Sequence, residues 1–404
     1  MDKPIPKLRT DLNINLVNDK EKEIVFLQDV EGFAEEPIGI TMDMFMILQA
    51  LDGNLTSNQL KGIFTEKGAD DDIANAIIDN IHKIQELGYL QTPEYLEEIE
   101  KAKKEYLELP FRPPICAGSS YSNQAELLVP ELDEFLNSVK PEDIKPGAKS
   151  LVVPHIDFKV GKKSAETYSA GYHSIRNNNA DVFVIFGTSH FASSDYFMLS
   201  EKDYQTPLGI AKTDIELLDS LKNNYPDLTL DEFAHKNEHS IELQVVLLQH
   251  YFKNRNIKIL PVLVGSFHDF ILNGSEPDES KEVAHFLSAL DKSLKEHGRN
   301  PMYIASVDFA HIGKKFGDEF DAKTKLEELS NVDHELIEKL IANDHRGFFS
   351  NIKNDEDKWK VCGTSPLYSF LNMHEKGKGE LLKYNQWYEE PTQSAVSFAS
   401  IAYY

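Results

Sequence analysis

The stretch Val182-Phe-Val-Ile-Phe-Gly-Thr-Ser-His190 decides how this chain folds. Five consecutive β-branched or aromatic residues followed by small ones read as a buried strand at the centre of a sheet. Gly187-Thr-Ser is expected to make a tight exit, and the segment ends by delivering one imidazole. In open α/β sheets, ligand sites gather just beyond the carboxyl ends of strands. The question is whether other ionisable side chains are delivered in the same way.

Three further runs have the same character: Ser150-Leu-Val-Val, Ile257-Lys-Ile-Leu-Pro-Val-Leu-Val264 and Met302-Tyr-Ile-Ala-Ser-Val307. Amphipathic segments over residues 163–175, 215–223, 241–252 and 282–297 separate them. This alternation predicts an α/β domain, a central sheet flanked by helices, closed by a last strand over Ala395–Ala402. Two of the runs also end on polar groups, in Pro154-His155-Ile-Asp157 and Asp308-Phe-Ala-His311. One histidine at a strand end is more often structural, because a strand must turn polar somewhere. Three such deliveries point to a site.

A fourth polar cluster is Ala234-His235-Lys-Asn-Glu238-His239-Ser-Ile-Glu242. On a helix, Glu238, His239 and Glu242 would share one face. His235-x-x-Glu238-His239 also matches the H-x-x-E-H string of inverted zinc peptidases, in which two histidines one turn apart hold zinc. That use needs a helix already formed at His235, whereas Asn237 and Ser240 suit a helix start and would split the pair between two elements. Cys362, before Gly363-Thr-Ser-Pro366, completes the candidates. A lone cysteine is most often a small buried hydrophobe. Beside two imidazoles its thiolate would suit iron, copper or zinc, and cysteine–histidine nucleophilic catalysis draws on the same residue types.

The N-terminal part reads differently. Ile24-Val-Phe-Leu-Gln and Pro37-Ile-Gly-Ile are short strand candidates, followed by a helix from Thr41 to Leu51, a second capped by Thr56 or Ser57, and a third over 71–87 closed by Gly88. With Tyr89-Leu-Gln-Thr-Pro after them, they are similar to a winged-helix arrangement. A charged connecting helix over 94–108 is broken by Pro110-Phe-Arg-Pro-Pro, so two domains are expected, 1–105 and 106–404. Residues 1–110 carry 11 basic and 23 acidic side chains, and the whole chain has a formal charge of −25. Such a balance repels a phosphate backbone and excludes nucleic acid as the expected partner; a protein or peptide fits the first domain better. Two cysteines far apart, with no CxxC, suggest no disulfide framework. The N-terminus lacks the apolar core of a signal peptide and no run is long enough to span a membrane, so a cytoplasmic, membrane-free protein is expected.

Eight short motifs in order give the chain a resemblance. They are Ala117-Gly-Ser-Ser-Tyr121, Pro154-His155, Gly187-Thr-Ser-His190, Tyr204-Gln-Thr-Pro-Leu208, Glu238-His-Ser-Ile-Glu242, Leu260-Pro-Val-Leu-Val-Gly265, Ser306-Val-Asp-Phe-Ala-His311-Ile-Gly313 and Cys362-Gly363. Over about residues 113–404 the chain resembles the Memo family, in the bacterial and archaeal form called AmmeMemoRadiSam system protein B. The resemblance implies a fold akin to class III extradiol non-haem iron dioxygenases. It also implies a metal, iron or copper with zinc as an alternative, held by His155, His190 and Cys362, with Asp308, His311 and His239 lining the pocket. His311 or His239 would then act as general acid or base, since imidazole titrates near neutrality, with Asp308 orienting one of them. A redox enzyme acting on a small molecule or peptide is the leading expectation. The alternatives are a non-catalytic partner of a radical-SAM protein and, third, a zinc hydrolase. Phe191, Ile312 and Thr364 stand where the family often has histidine, tryptophan and arginine.

Overall fold

The structure, a computed structural model, describes residues 3–404 apart from 20–21, 30–32, 35, 191–194, 254 and 375–376. Phe191 lies outside the described residues. The chain divides into two units, Met1–Glu108 with Gly313–Phe320, and Leu109–Ile312 with Asp321–Tyr404. The short segment Gly313–Phe320 thus groups with the first unit although it follows the Asp308–His311 motif by only two residues.

The first unit opens with an antiparallel meander of β1 (Leu12–Asp19), β2 (Lys22–Asp29) and β3 (Ile38–Thr41). Four helices follow: α1 (Met42–Ala50), α2 (Ser57–Glu66), α3 (Asp71–Glu86) and α4 (Pro93–Glu108). Val25, Leu27, Leu48, Leu60, Ile81 and Tyr89 form its core. The sheet precedes the helices, and the Tyr89-Leu90 stretch after α3 adds an isolated bridge from Leu90 to Leu8. Gly88 ends α3 in the left-handed region, at φ +85°, which a Cβ would disfavour. Arg9, buried, is held by both Asp11 and Asp29 and donates to Gly88 O at 2.8 Å. Two of the unit's many carboxylates are therefore consumed internally. Thr56 caps α2 in a reciprocal capping box with Gln59. Thr56→Ala is expected to cost about 1 kcal/mol of the stability of this unit, measured by denaturant unfolding; an unchanged midpoint would show that the cap contributes nothing.

The second unit runs β4 (Phe111–Arg112), α5 (Ala125–Leu136), β5 (Ser150–Val153), α6 (Lys162–Ser174), β6 (Val182–Thr188), β7 (Phe197–Leu199), β8 (Asp203–Thr206), β9 (Gly209–Thr213) and α7 (Ile215–Asn224). It continues with β10 (Thr229–Leu230), α8 (Glu232–Lys236), α9 (His239–Tyr251), β11 (Lys258–Val264), α10 (His268–Asn273), α11 (Lys281–Glu296), β12 (Pro301–Ser306) and β13 (His311–Gly313). Three helices, α12 (Leu326–Ile341), α13 (His345–Asn354) and α14 (Thr364–Met373), precede the hairpin of β14 (Gly379–Glu389) and β15 (Ser394–Tyr403). The main sheet has the order β13-β15-β5-β12-β6-β11-β9-β8-β4. Its centre, β5-β12-β6-β11, is parallel throughout, and β15 joins β5 antiparallel. Every residue of β6 is buried, as the uninterrupted apolar run requires.

This order has a direct consequence for the site. β5, β12 and β6 are neighbours running the same way, so His155, Asp308 and His190 leave the sheet along one edge. Gly187 proves not to make the exit turn, because β6 continues to Thr188. Its lack of a side chain serves packing instead: a Cβ there would lie 2.6 Å from Ser240 Oγ and 2.7 Å from Ile241 Cγ1, in the first turn of α9. Among the described residues no helix is long and apolar enough to cross a membrane.

Candidate metal centre

His155 is the first residue to build, because its environment fixes its chemistry. Its backbone N–H donates to Asp308 Oδ1 at 3.1 Å, and Nδ1 lies 3.0 Å from Ser306 O, a carbonyl that can only accept. The ring proton therefore sits on Nδ1 and Nε2 presents a lone pair. Burial pushes the His155 pKa well below the usual value, and the neighbouring His190 and His239 add to this, so the ring stays neutral. Cys362 Sγ lies 3.5 Å from that Nε2.

His190 is delivered from β6 and is partly exposed, its side chain at 34%. Its backbone N–H donates to Glu238 Oε2 at 2.9 Å, and its Nδ1 lies 3.1 Å from both oxygens of that carboxylate. Nε2 is the nitrogen left to face Cys362. Burial opposes a charge on His190, but the Glu238 carboxylate and the Cys362 sulfur together hold its pKa well above the usual value. Donor atoms of His155, His190 and Cys362 all lie within 4.8 Å of one another. A second group meets the same criterion: His190, Glu238 and His239. The rings of His190 and His239 stack at 4.9 Å, and each lies about edge-on to His155, at 5.0 and 5.2 Å.

The two helices α8 and α9 carry the acidic side of the site. Glu238 itself caps α9, accepting from Ser240 N at 2.9 Å, so the break expected between His235 and His239 is present, with the cap falling between the two predicted residues, Asn237 and Ser240. His235 belongs to α8 and is fully buried: Nδ1 meets Tyr204 OH at 2.7 Å and Nε2 meets Met198 O at 3.0 Å. Both nitrogens are occupied, and His235 is in neither donor group, so the H-x-x-E-H string is not a zinc site here. Glu238 and Glu242 do not share a face towards the pocket either. Glu242 turns into the interior, where it pairs with Arg112 and accepts from Ile115 N, Cys116 N and Tyr121 OH at 2.9, 2.8 and 2.5 Å.

Arg112 is the residue that sequence reasoning missed. Fully buried, it donates from Nε to His235 O at 2.9 Å and from Nη2 to Glu238 O at 2.6 Å, besides its ion pair with Glu242. One guanidinium thus fixes the end of α8, the backbone of Glu238 and the body of α9. Its short strand β4 gave no sequence signal, and a solitary arginine between prolines looks like a linker residue. On the other flank, Gln244 of α9 donates to Pro154 O at 2.7 Å and to Ser306 Oγ at 2.8 Å, while Ser306 donates to Ser240 O at 2.5 Å. The ends of β5 and β12 are thereby tied to the helix bearing His239.

Asp308 packs against His155, not against the two histidines it was expected to orient: Oδ2 lies 3.7 Å from His155 Nε2. Burial pushes its carboxyl up to about 7, against the opposing pull of backbone N–H donors. His311 heads β13, its N–H on Trp359 O at 2.9 Å and its Nδ1 near Phe309 O at 3.1 Å; it belongs to neither donor group. His239, half-exposed with Nδ1 3.3 Å from Glu238 Oε1, lies much closer to the centre of the cluster. Cys362 is seated by Gly363, where a Cβ would meet Asp308 O at 2.7 Å and Val307 Cβ at 2.8 Å, so the cysteine loop can close on the end of β12 only with glycine there.

A family model described as Memo-like protein matches residues 112–402. The chain belongs to the Memo-like family. Its similar curated relatives include a MEMO1 family protein of Aquifex aeolicus, 29% identical over 381 residues, which covers 91% of this chain and 95% of the relative. MEMO1 family proteins of Methanosarcina mazei and Pyrococcus abyssi are 29% and 28% identical over 278 and 304 residues. These two alignments take up 91% and 98% of the archaeal chains but 68% and 72% of this one. The Memo-like domain alone is about that long, whereas the Aquifex alignment must reach well into the N-terminal unit.

Proposed function

We propose that the Memo-like domain holds iron or copper through His155, His190 and Cys362 and is a redox enzyme of the dioxygenase-like kind, acting on a small molecule or peptide. The observation that carries this reading is the convergence of two imidazoles and a thiol to within 4.8 Å, with the remote nitrogen of each ring already engaged. His155 Nδ1 is tied to a carbonyl and His190 Nδ1 to a carboxylate, the outer-shell arrangement that orients ligating histidines and raises their basicity. The donor set therefore fits a soft-to-borderline transition ion; when bound, such an ion supplies redox chemistry and a Lewis-acidic position for an incoming anion.

The chain's own groups have separable tasks around it. Ser306 O and Glu238 set the tautomers of the two rings. Asp308, whose carboxyl burial pushes up to about 7, is placed beside His155 to hold a proton. His239, on the open side, is placed to hold or move a proton at Nε2 while Glu238 holds Nδ1.

Purified anaerobically, the protein is expected to contain close to one iron or copper per chain, falling below a tenth in His190→Ala and in Cys362→Ser. Unchanged stoichiometric metal in both variants would remove the assignment.

A further inference from the structure

Glu238 carries more than the orientation of one ligand requires. Its carboxylate is 1% exposed and stands between two imidazoles, with Oε1 3.1 Å from His190 Nδ1 and 3.3 Å from His239 Nδ1. A buried carboxylate needs a compensating charge. Two backbone donors, His190 N on Oε2 and Ser240 N on Oε1, lock the group in place, and the protonated His190 ring beside it supplies that charge, which a cation held between the two imidazoles would replace. Three ligand atoms about 2.1 Å from one ion, at octahedral to tetrahedral angles, lie about 3.0–3.4 Å apart. The two measured separations fall in that interval. The group is also reachable, since the side chains of His190 and His239 are 34% and 38% exposed.

We propose that Glu238, His239 and the Nδ1 face of His190 form a second cation position, adjoining the first and sharing His190 with it through the opposite ring nitrogen. The inference rests on the reading above for the first position, but Glu238 and His239 belong to the second alone. The two positions differ in softness as well: one offers two nitrogens and a sulfur, the other two nitrogens and a carboxylate oxygen. The second should therefore take a harder divalent ion, Fe2+ or Zn2+, and the first the more thiophilic partner. With both filled, His190 bridges as an imidazolate: the Nδ1 proton it otherwise donates to Glu238 is released to solvent, and the two ions sit on either side of a single ring.

The test is titration of the full-length apoprotein with Co2+ without oxygen, following bound metal by equilibrium dialysis and the thiolate-to-metal charge-transfer absorption that reports Cys362. The wild type is expected to saturate at two ions. His239→Ala should saturate at one with the charge-transfer absorption retained, and Cys362→Ser at one without it. Glu238→Gln, which keeps the shape of the side chain but replaces one accepting oxygen with a donor and removes the charge, should weaken the second ion at least 10-fold; circular dichroism of each variant checks that it is folded. Saturation of the wild type at one ion that carries the absorption and survives His239→Ala would overturn the second position and leave the first standing. One ion without the absorption, lost in His239→Ala but kept in Cys362→Ser, would overturn the first and leave the second. Two ions that both survive His239→Ala and Glu238→Gln would place the second elsewhere and overturn this inference.

Discussion

Arg112→Met is expected to lower the free energy of unfolding by about 3–5 kcal/mol, the cost of removing one partner from a buried ion pair and stranding the other. Arg112 and Glu242 are both fully buried. Glu242 would keep three donors, from Ile115, Cys116 and Tyr121, but no cation. The His235 and Glu238 carbonyls would lose the guanidinium donors at the same time. Arg112→Lys should fall between the two, because an ammonium keeps the charge but cannot reach both helices with a planar fork. The measurement is denaturant unfolding of the three proteins under identical metal-free conditions. A loss below about 1 kcal/mol in Arg112→Met would mean that Glu242 relaxes to solvent and that the clamp is not structural.

Gly187→Ala is expected to cost about 1–3 kcal/mol, the usual penalty for overfilling a packed interior, and to weaken metal binding with it. The added methyl meets Ser240 Oγ and Ile241 Cγ1 at 2.6 and 2.7 Å, with Leu263 Cδ2 at 3.3 Å behind. Ser240 can turn away only by giving up its bond to Thr188 O at 3.0 Å. Ile241 is buried and branched close to the backbone, so α9 itself must move. That helix begins with His239 and is capped by Glu238. A stability loss with unchanged metal affinity would show that the helix start yields elsewhere and that β6 does not set its position.

How much of this was legible before the structure depends on how local the signal is. The strand at Val182 announced itself because an apolar run needs no partner to be recognised, and the histidines at strand ends followed from its neighbours. The hairpin strand β14 was missed because its residues are mostly half-buried and mix Lys383, Asn385 and Gln386 with aromatics, which blurs the alternation that marks a strand. Gly187 was noticed, yet its reason was misread, since a turn and a close helix approach both call for a missing Cβ. His235 and Glu242 matched plausible motifs by spacing alone. Their side chains turn inward to Tyr204 and Arg112, partners 31 and 130 residues away that no window of sequence contains.

The sequence by itself determined the α/β class, the buried central strands and the set of polar groups delivered at their ends, because hydrophobic periodicity and strand-end chemistry are written in consecutive residues. Only the tertiary structure decided which of those groups meet. Strand order brought β5, β12 and β6 side by side, and a buried arginine from a two-residue strand fixed the helix start beside them. Those are choices among long-range pairings, and their energy lies in contacts between residues far apart along the chain.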